Sequence, residues 1–339
     1  MERGKFAYMS TETDMPRRAL IIIDMQGEYV DGPLQIQYPP REVSVPNVLA
    51  AIETANKAGL PIVVVQHRNP SGAVVFGDGS SSWELDPVLA ERLNPAWHRV
   101  QKQYASVFAR TGLAEWLRAQ GVDTVTFVGF MTNNCVIASP AEATAVGMKA
   151  EVLADATGAI HLANVIGFAS AQAVHETLMV LMHSNFAAVA STKEWIDAVR
   201  TGVSLPKSNL IDSATKGREV EHQRIDELLR GIATRPGMYV GSVSYDKVVV
   251  FLNGVGAGIE LAGKKDTLFG RDGDMPFYDW LCDRVGVVSN PALGWWDLVL
   301  FALPGLELNE YGQPILPAGR NQEAIDILVN LLTEYRARH

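Results

Sequence analysis

Between residues 18 and 200, short runs of β-branched and other apolar residues alternate with stretches whose apolar positions recur at helical spacing. Runs at 19–23, 61–66, 124–128, 150–153 and 186–190 predict strands, and the spacing predicts helices over 46–58, 113–120, 134–146, 168–183 and 192–199. The strand runs lack polar alternation, so both faces of each are expected to be buried. That pattern belongs to a mostly parallel sheet with helices on either side: an α/β, three-layer α-β-α fold of about six strands. Residues 67–100, rich in Gly, Ser, Asn and Pro, read as a long loop with one helix near 87–92, and long loops in such folds are often functional. Periodicity lapses over 201–218 and then resumes as helix alone, at 222–232, 246–261, 276–285, 294–303 and 321–337. The expected organisation is an α/β domain over 1–206, a linker over 207–217 and a small, mainly helical domain over 218–339. No internal repeat or low-complexity tract is present.

Composition narrows the function classes. The 339 residues are 47% hydrophobic and 20% charged, enough apolar material for packed cores. The formal net charge is −9, with 29 Lys+Arg against 38 Asp+Glu, and there is no basic block, so no nucleic-acid partner is expected. The two cysteines, Cys135 and Cys282, fall in different expected domains and suit reduced thiols in a cytoplasmic protein. The polar N-terminal stretch shows no apolar core of a signal peptide, and the apolar runs at 248–252 and 298–303 are too short to span a bilayer, so no membrane partner is expected.

Ligands of open parallel sheets bind beyond the carboxyl ends of the strands. Asp24 ends the first strand run, and Cys135 follows the third at the start of a helix, where backbone N–H groups and the helix dipole favour a thiolate or an oxyanion. Taken singly, such a cysteine could equally be buried and inert, and such an aspartate a loop or capping carboxylate.

Four stretches taken together change that reading: IIIDMQGEY at 21–29, KQYASVF at 102–108, GFMTNNCV at 129–136 and VLADATGA at 152–159. In order and spacing, the chain from 18 to about 198 resembles the isochorismatase-like cysteine hydrolases. The resemblance implies a catalytic Asp24, Lys102 and Cys135, in which the thiol attacks a carbonyl, the carboxylate handles protons and the ammonium supports the thiolate. It also implies a cis peptide at Phe130–Met131 and an oxyanion hole made by the backbone N–H groups of Met131 and Cys135. Gln26, Tyr29, His67, Arg68, Trp83 and Asn134 are the candidate substrate-binding residues. Tyr29 stands where many relatives carry Phe, and His67 stands alone where nicotinamidases carry several metal-binding side chains, so no metal and no cofactor are expected. The reaction implied is hydrolysis of a C–N bond in a small amide, ureido or lactam compound, by a homo-oligomer. Vinyl-ether hydrolysis and a binding or regulatory role, with the C-terminal domain engaging a partner, are the alternatives.

In the C-terminal region, IATRPGMYVGS at 232–242 is similar to a segment of the GHKL ATPases. The acidic residues that should flank Asn253 are absent, with Val249 and Gly256 at those places, and DGD at 272–274 is too slight to complete a nucleotide site. Trp280, Trp295, Trp296 and Phe301 fit the spacing of a helical core.

Overall fold

The computed structural model describes residues 15–261, 268–269 and 276–338. Residues 1–14 and the DGD segment at 272–274 lie outside the described residues. The chain divides into two compact units, one ending at Ala214 and the other beginning at Thr215.

In the first unit β1 (Arg18–Ile23) leads through a short 3-10 turn to α1 (Arg41–Lys57), then β2 (Ile62–His67), α2 (Pro87–Ala90), β3 (His98–Lys102) and α3 (Leu113–Ala119). There follow β4 (Thr124–Phe130), α4 (Ile137–Ala143), β5 (Lys149–Gly158), a hairpin of β6 (Leu162–Asn164) and β7 (Gly167–Ala169), α5 (Ala171–Leu181), β8 (Ala188–Ala190) and α6 (Thr192–Thr201). Six strands form one parallel sheet in the order β3-β2-β1-β4-β5-β8. The central strands β1 and β4 are buried along their whole length, because helices cover both faces. Two apolar clusters result, one around Ile21, Phe127 and Leu117 and the other around Ile22, Val48 and Trp195.

The α/β architecture and its six-stranded sheet agree with the sequence reading, and the differences are local. The segment read as loop up to residue 100 contains β3, an edge strand whose sequence HRVQK alternates between exposed and buried positions. An edge strand does not need the continuous apolar run that marks a buried one. Helix α1 begins at Arg41 and takes Pro46 into its interior. The β6–β7 hairpin is short and mostly exposed, with Val165 and Ile166 at its tip, so no burial pattern marks it.

The second unit is helical: α7 (Leu210–Thr234), α8 (Pro236–Val240), α9 (Tyr245–Leu261), α10 (Phe277–Val285), α11 (Trp295–Leu300) and α12 (Asn321–Arg338), with a two-residue ladder of β9 (Glu307–Leu308) and β10 (Pro314–Ile315). Helix α7 starts inside the stretch whose lapse in periodicity reads as linker. Phe277 packs on Trp280, Trp295 and Tyr335 in this unit's own core. The RPGMYVG segment forms α8, whose end is closed by Gly241 at φ 77°. Asn253 accepts a hydrogen bond from Trp295 Nε1 at 3.3 Å. Among the described residues, no helix is long and apolar enough to cross a membrane.

Candidate active site

Three strands deliver the site. Asp24 follows β1 with a positive φ of 47°, a backbone conformation unusual outside glycine, and its carboxylate is fully buried. Lys102 is the last residue of β3 and is 2% exposed. Cys135 lies in the single π-helical turn Thr132–Val136 between β4 and α4 and is 1% exposed. The turn is fastened to its surroundings: Ser139 Oγ donates to the Cys135 carbonyl at 2.7 Å and accepts from the Val107 amide at 3.1 Å. Beneath it, Gly129 at φ 99° lies so close to β1 that a Cβ would meet the Ile23 carbonyl oxygen at 2.1 Å. Only glycine lets β4 carry the thiol this near the carboxylate. The Phe130–Met131 peptide is cis.

The three side chains meet around one ammonium. Lys102 Nζ lies 2.7 Å from Asp24 Oδ2 as an ion pair and 3.1 Å from Cys135 Sγ. Asp24 Oδ1 is buried and accepts no hydrogen bond from the described residues, which leaves it open to a proton from the thiol. Burial first, and then the Asp24 carboxylate, raise the Cys135 thiol pKa well above its ordinary value, while Lys102 works against this. The resting sulfur is therefore a thiol. Burial opposes the charge on Lys102, but Asp24 and then Cys135 outweigh it and hold the ammonium above its usual pKa. The lysine stays charged at neutral pH.

The sequence-predicted recognition residues separate into two groups. His67, at the end of β2, reaches the centre, with Nδ1 3.1 Å from Lys102 Nζ. Tyr29 is also at the centre, 1% exposed and packed against Phe76 and Phe130. Burial first, followed by Cys135 and Asp24, raises its hydroxyl pKa. Met131 is buried immediately before the turn that holds Cys135.

The others are engaged elsewhere. Gln26 is wholly buried, and its amide is spent on backbone: Oε1 accepts from the His67 amide at 2.7 Å, while Nε2 donates to the carbonyls of His67 at 3.0 Å and Trp83 at 2.7 Å. Trp83 offers that carbonyl, and its own Nε1 is buried without a partner among the described residues. Arg68 pairs with Asp78 at 2.5 Å and Gln101 at 3.1 Å, and Asn134 is exposed.

A neighbouring cavity of about 280 Å³ beside β3 is lined by Arg68, Gln101, Lys102, Gln103, Tyr104 and Arg110. Of these residues, Arg68 and Lys102 are candidates from the sequence, and Gln101, Gln103, Tyr104 and Arg110 are not. Arg110 has a positive φ of 57° and lies over the Tyr104 ring, 5.4 Å from its centroid. That conformation shows only in the fold, and nothing in the sequence marks the residue.

Asp24, His67 and Cys135 each offer an atom of metal-ligand type, all within 4.8 Å of one another. Lys102 already places a positive charge among them, so a metal ion could bind all three only by displacing the ammonium.

Known proteins share this part of the chain. The isochorismatase domain model matches residues 18–194. The secreted isochorismatase effector Isc1 of Verticillium dahliae is 35% identical over 139 residues, 41% of this chain and 71% of that protein. Maleamate amidohydrolase of Pseudomonas putida is 32% identical over 168 residues, 42% of this chain and 73% of that protein. The crystal structure of an isochorismatase-family protein from Burkholderia xenovorans LB400 is 44% identical, with a TM-score of 0.59, and covers 61% of this chain and 99% of its own. Through residues 18–194, which hold every group of the site just described, the chain belongs to the isochorismatase family.

Proposed function

We propose that the family domain is a cysteine hydrolase that cleaves a C–N bond of a small amide, ureido or lactam compound through a covalent acyl-enzyme. The reading rests on the buried triangle of Asp24, Lys102 and Cys135, an acceptor and a nucleophile each within bonding reach of one cation. Apolar packing does not account for this set, because even a paired charge is costly to take out of water.

The raised thiol pKa gives Asp24 its task. Oδ1 takes the proton as Sγ attacks the carbonyl carbon, and Lys102 balances the negative charge moving onto sulfur. The Met131 and Cys135 N–H groups are the donors we assign to the tetrahedral oxyanion. Asp24 then passes its proton to the departing nitrogen, the C–N bond breaks and a thioester remains. Water attacks the thioester, giving its proton to Asp24, and the acid leaves as the thiol is restored. The likeness to a maleamate amidohydrolase supports an amide class.

A panel of small amides, ureido acids and lactams, read by amine release and by the intact mass of the acyl adduct, tests the reading. The active compound should load one acyl group onto Cys135, and Cys135→Ser should lower turnover by about a thousandfold or more with the fold intact. Full activity in Cys135→Ala would overturn covalent catalysis and favour the vinyl-ether reading.

A further inference from the structure

We propose that His67 is the positioning residue for Lys102: its Nδ1 is the third neighbour that holds the ammonium between Asp24 and Cys135. The inference rests on the proposed cysteine mechanism and adds to it a residue outside the Asp-Lys-Cys set.

The geometry begins in the sheet. In the parallel pairing of β2 with β3, His67 and Lys102 are register partners at the carboxyl ends of their strands. Their side chains therefore rise together toward the same end, and Nδ1 meets Nζ at 3.1 Å. A charged lysine has three N–H groups and no acceptor. Here those three groups have three neighbours: Asp24 Oδ2, Cys135 Sγ and His67 Nδ1. Since the ammonium can only donate, Nδ1 must accept, which fixes the ring as the neutral tautomer with its proton on Nε2.

The ring is itself held in place. Gln26 grips the His67 peptide on both sides, accepting from its N–H and donating to its C=O. Phe76 lies against the imidazole at a centroid distance of 5.0 Å. Burial, with Lys102 next, depresses the His67 pKa against the opposing pull of Asp24, so the ring remains an acceptor at neutral pH. The titratable or charged groups that face it are Asp24 from the end of β1, Lys102 from β3 and Cys135 from the turn after β4.

Without Nδ1, the flexible four-carbon stem of Lys102 loses one of its three anchors, and the charge that balances the nascent thiolate is less well placed. Glutamine supplies an acceptor oxygen of similar reach without a titratable ring, whereas leucine supplies bulk alone.

The test needs no substrate. Alkylation of Cys135 by iodoacetamide, followed by peptide mass so that Cys282 is counted separately, reads thiolate formation in the wild type, His67→Leu and His67→Gln. Each variant is first matched to the wild type by thermal unfolding. His67→Leu should react about tenfold more slowly at pH 7.5, and His67→Gln should recover to within about threefold of the wild type. Wild-type rates in both variants would overturn the proposal. Equal slowing of both would also overturn it, because the loss would then follow the ring's packing and not its acceptor. Cys135→Ser, run alongside against the active amide, reports separately on the cysteine mechanism.

Discussion

His175 shows how a single residue outside the reacting groups ties the site to pH. It lies on α5, is 4% exposed, and has Nδ1 3.0 Å from Thr132 Oγ1 in the turn that carries Cys135. Burial drives its pKa from 6.5 down to about 4, against weaker upward pulls from the Ala154 backbone and Glu176. A depressed histidine pKa means that the unfolded chain binds the proton more readily than the folded one. Stability is therefore full above about pH 6.5, falls as the pH drops, and levels off near pH 4. The loss has an upper bound of about 3 kcal/mol, reduced by whatever water reaches the ring. Urea unfolding at pH 4.5 and pH 7 measures it, and His175→Gln should show a smaller difference between the two conditions.

Residues also differ in how plainly the sequence announces them. Asp24 and Cys135 follow conspicuous apolar runs, so their place at the carboxyl end of a sheet is legible. Lys102 ends an edge strand that alternates in exposure, and only the surrounding KQYASVF stretch singles it out. The bond between His67 and Lys102 is hidden further, because it depends on the register of two strands. One of these, β3, carries no continuous apolar signal. Gln26 appears from the sequence as a recognition residue, yet a side-chain amide serves backbone as readily as substrate, and only the fold decides between them.

At the level of elements, the opposite end of the sheet is closed by a buried ionic cluster. Arg18 of β1 donates to Glu151 of β5 at 2.9–3.1 Å and to the Val203 carbonyl at 2.7 Å. Thr126 of β4 donates to the same carboxylate at 2.8 Å, and Trp195 Nε1 of α6 lies 3.1 Å from it. One carboxylate therefore binds three adjacent strands and the last helix of the unit. Removing it strands a buried guanidinium, so Glu151→Ala should lower the unfolding free energy by about 3–5 kcal/mol. Replacing Arg18 and Glu151 together with apolar residues of similar volume should cost far less, since neither charge is then left alone. Denaturant titration of the two variants makes the comparison.

Across the whole molecule, each unit owns a complete apolar core. Among the described residues, the clusters on the two faces of the sheet contain none beyond 205, and the helical cluster contains none before 225. We place the end of the hydrolase domain at residue 206. A fragment ending there should unfold cooperatively and retain the Cys135 alkylation rate of the full chain, measured by thermal melting and peptide mass. Loss of cooperativity would mean that the helical unit completes the first fold.

The position of β3 in the sheet has a further consequence. Asp24 and Cys135 extend from the adjacent central strands β1 and β4, whereas the ammonium hangs from the outermost strand. Edge strands have ladder bonds on one side only and open locally at lower free energy than the centre of a sheet. Fraying of β3 would carry Lys102 away while the thiol, the carboxylate and the rest of the sheet stayed in place. We therefore expect inactivation and unfolding to be separable in this chain, with the Lys102 ammonium, the cation we propose for the reaction, leaving first.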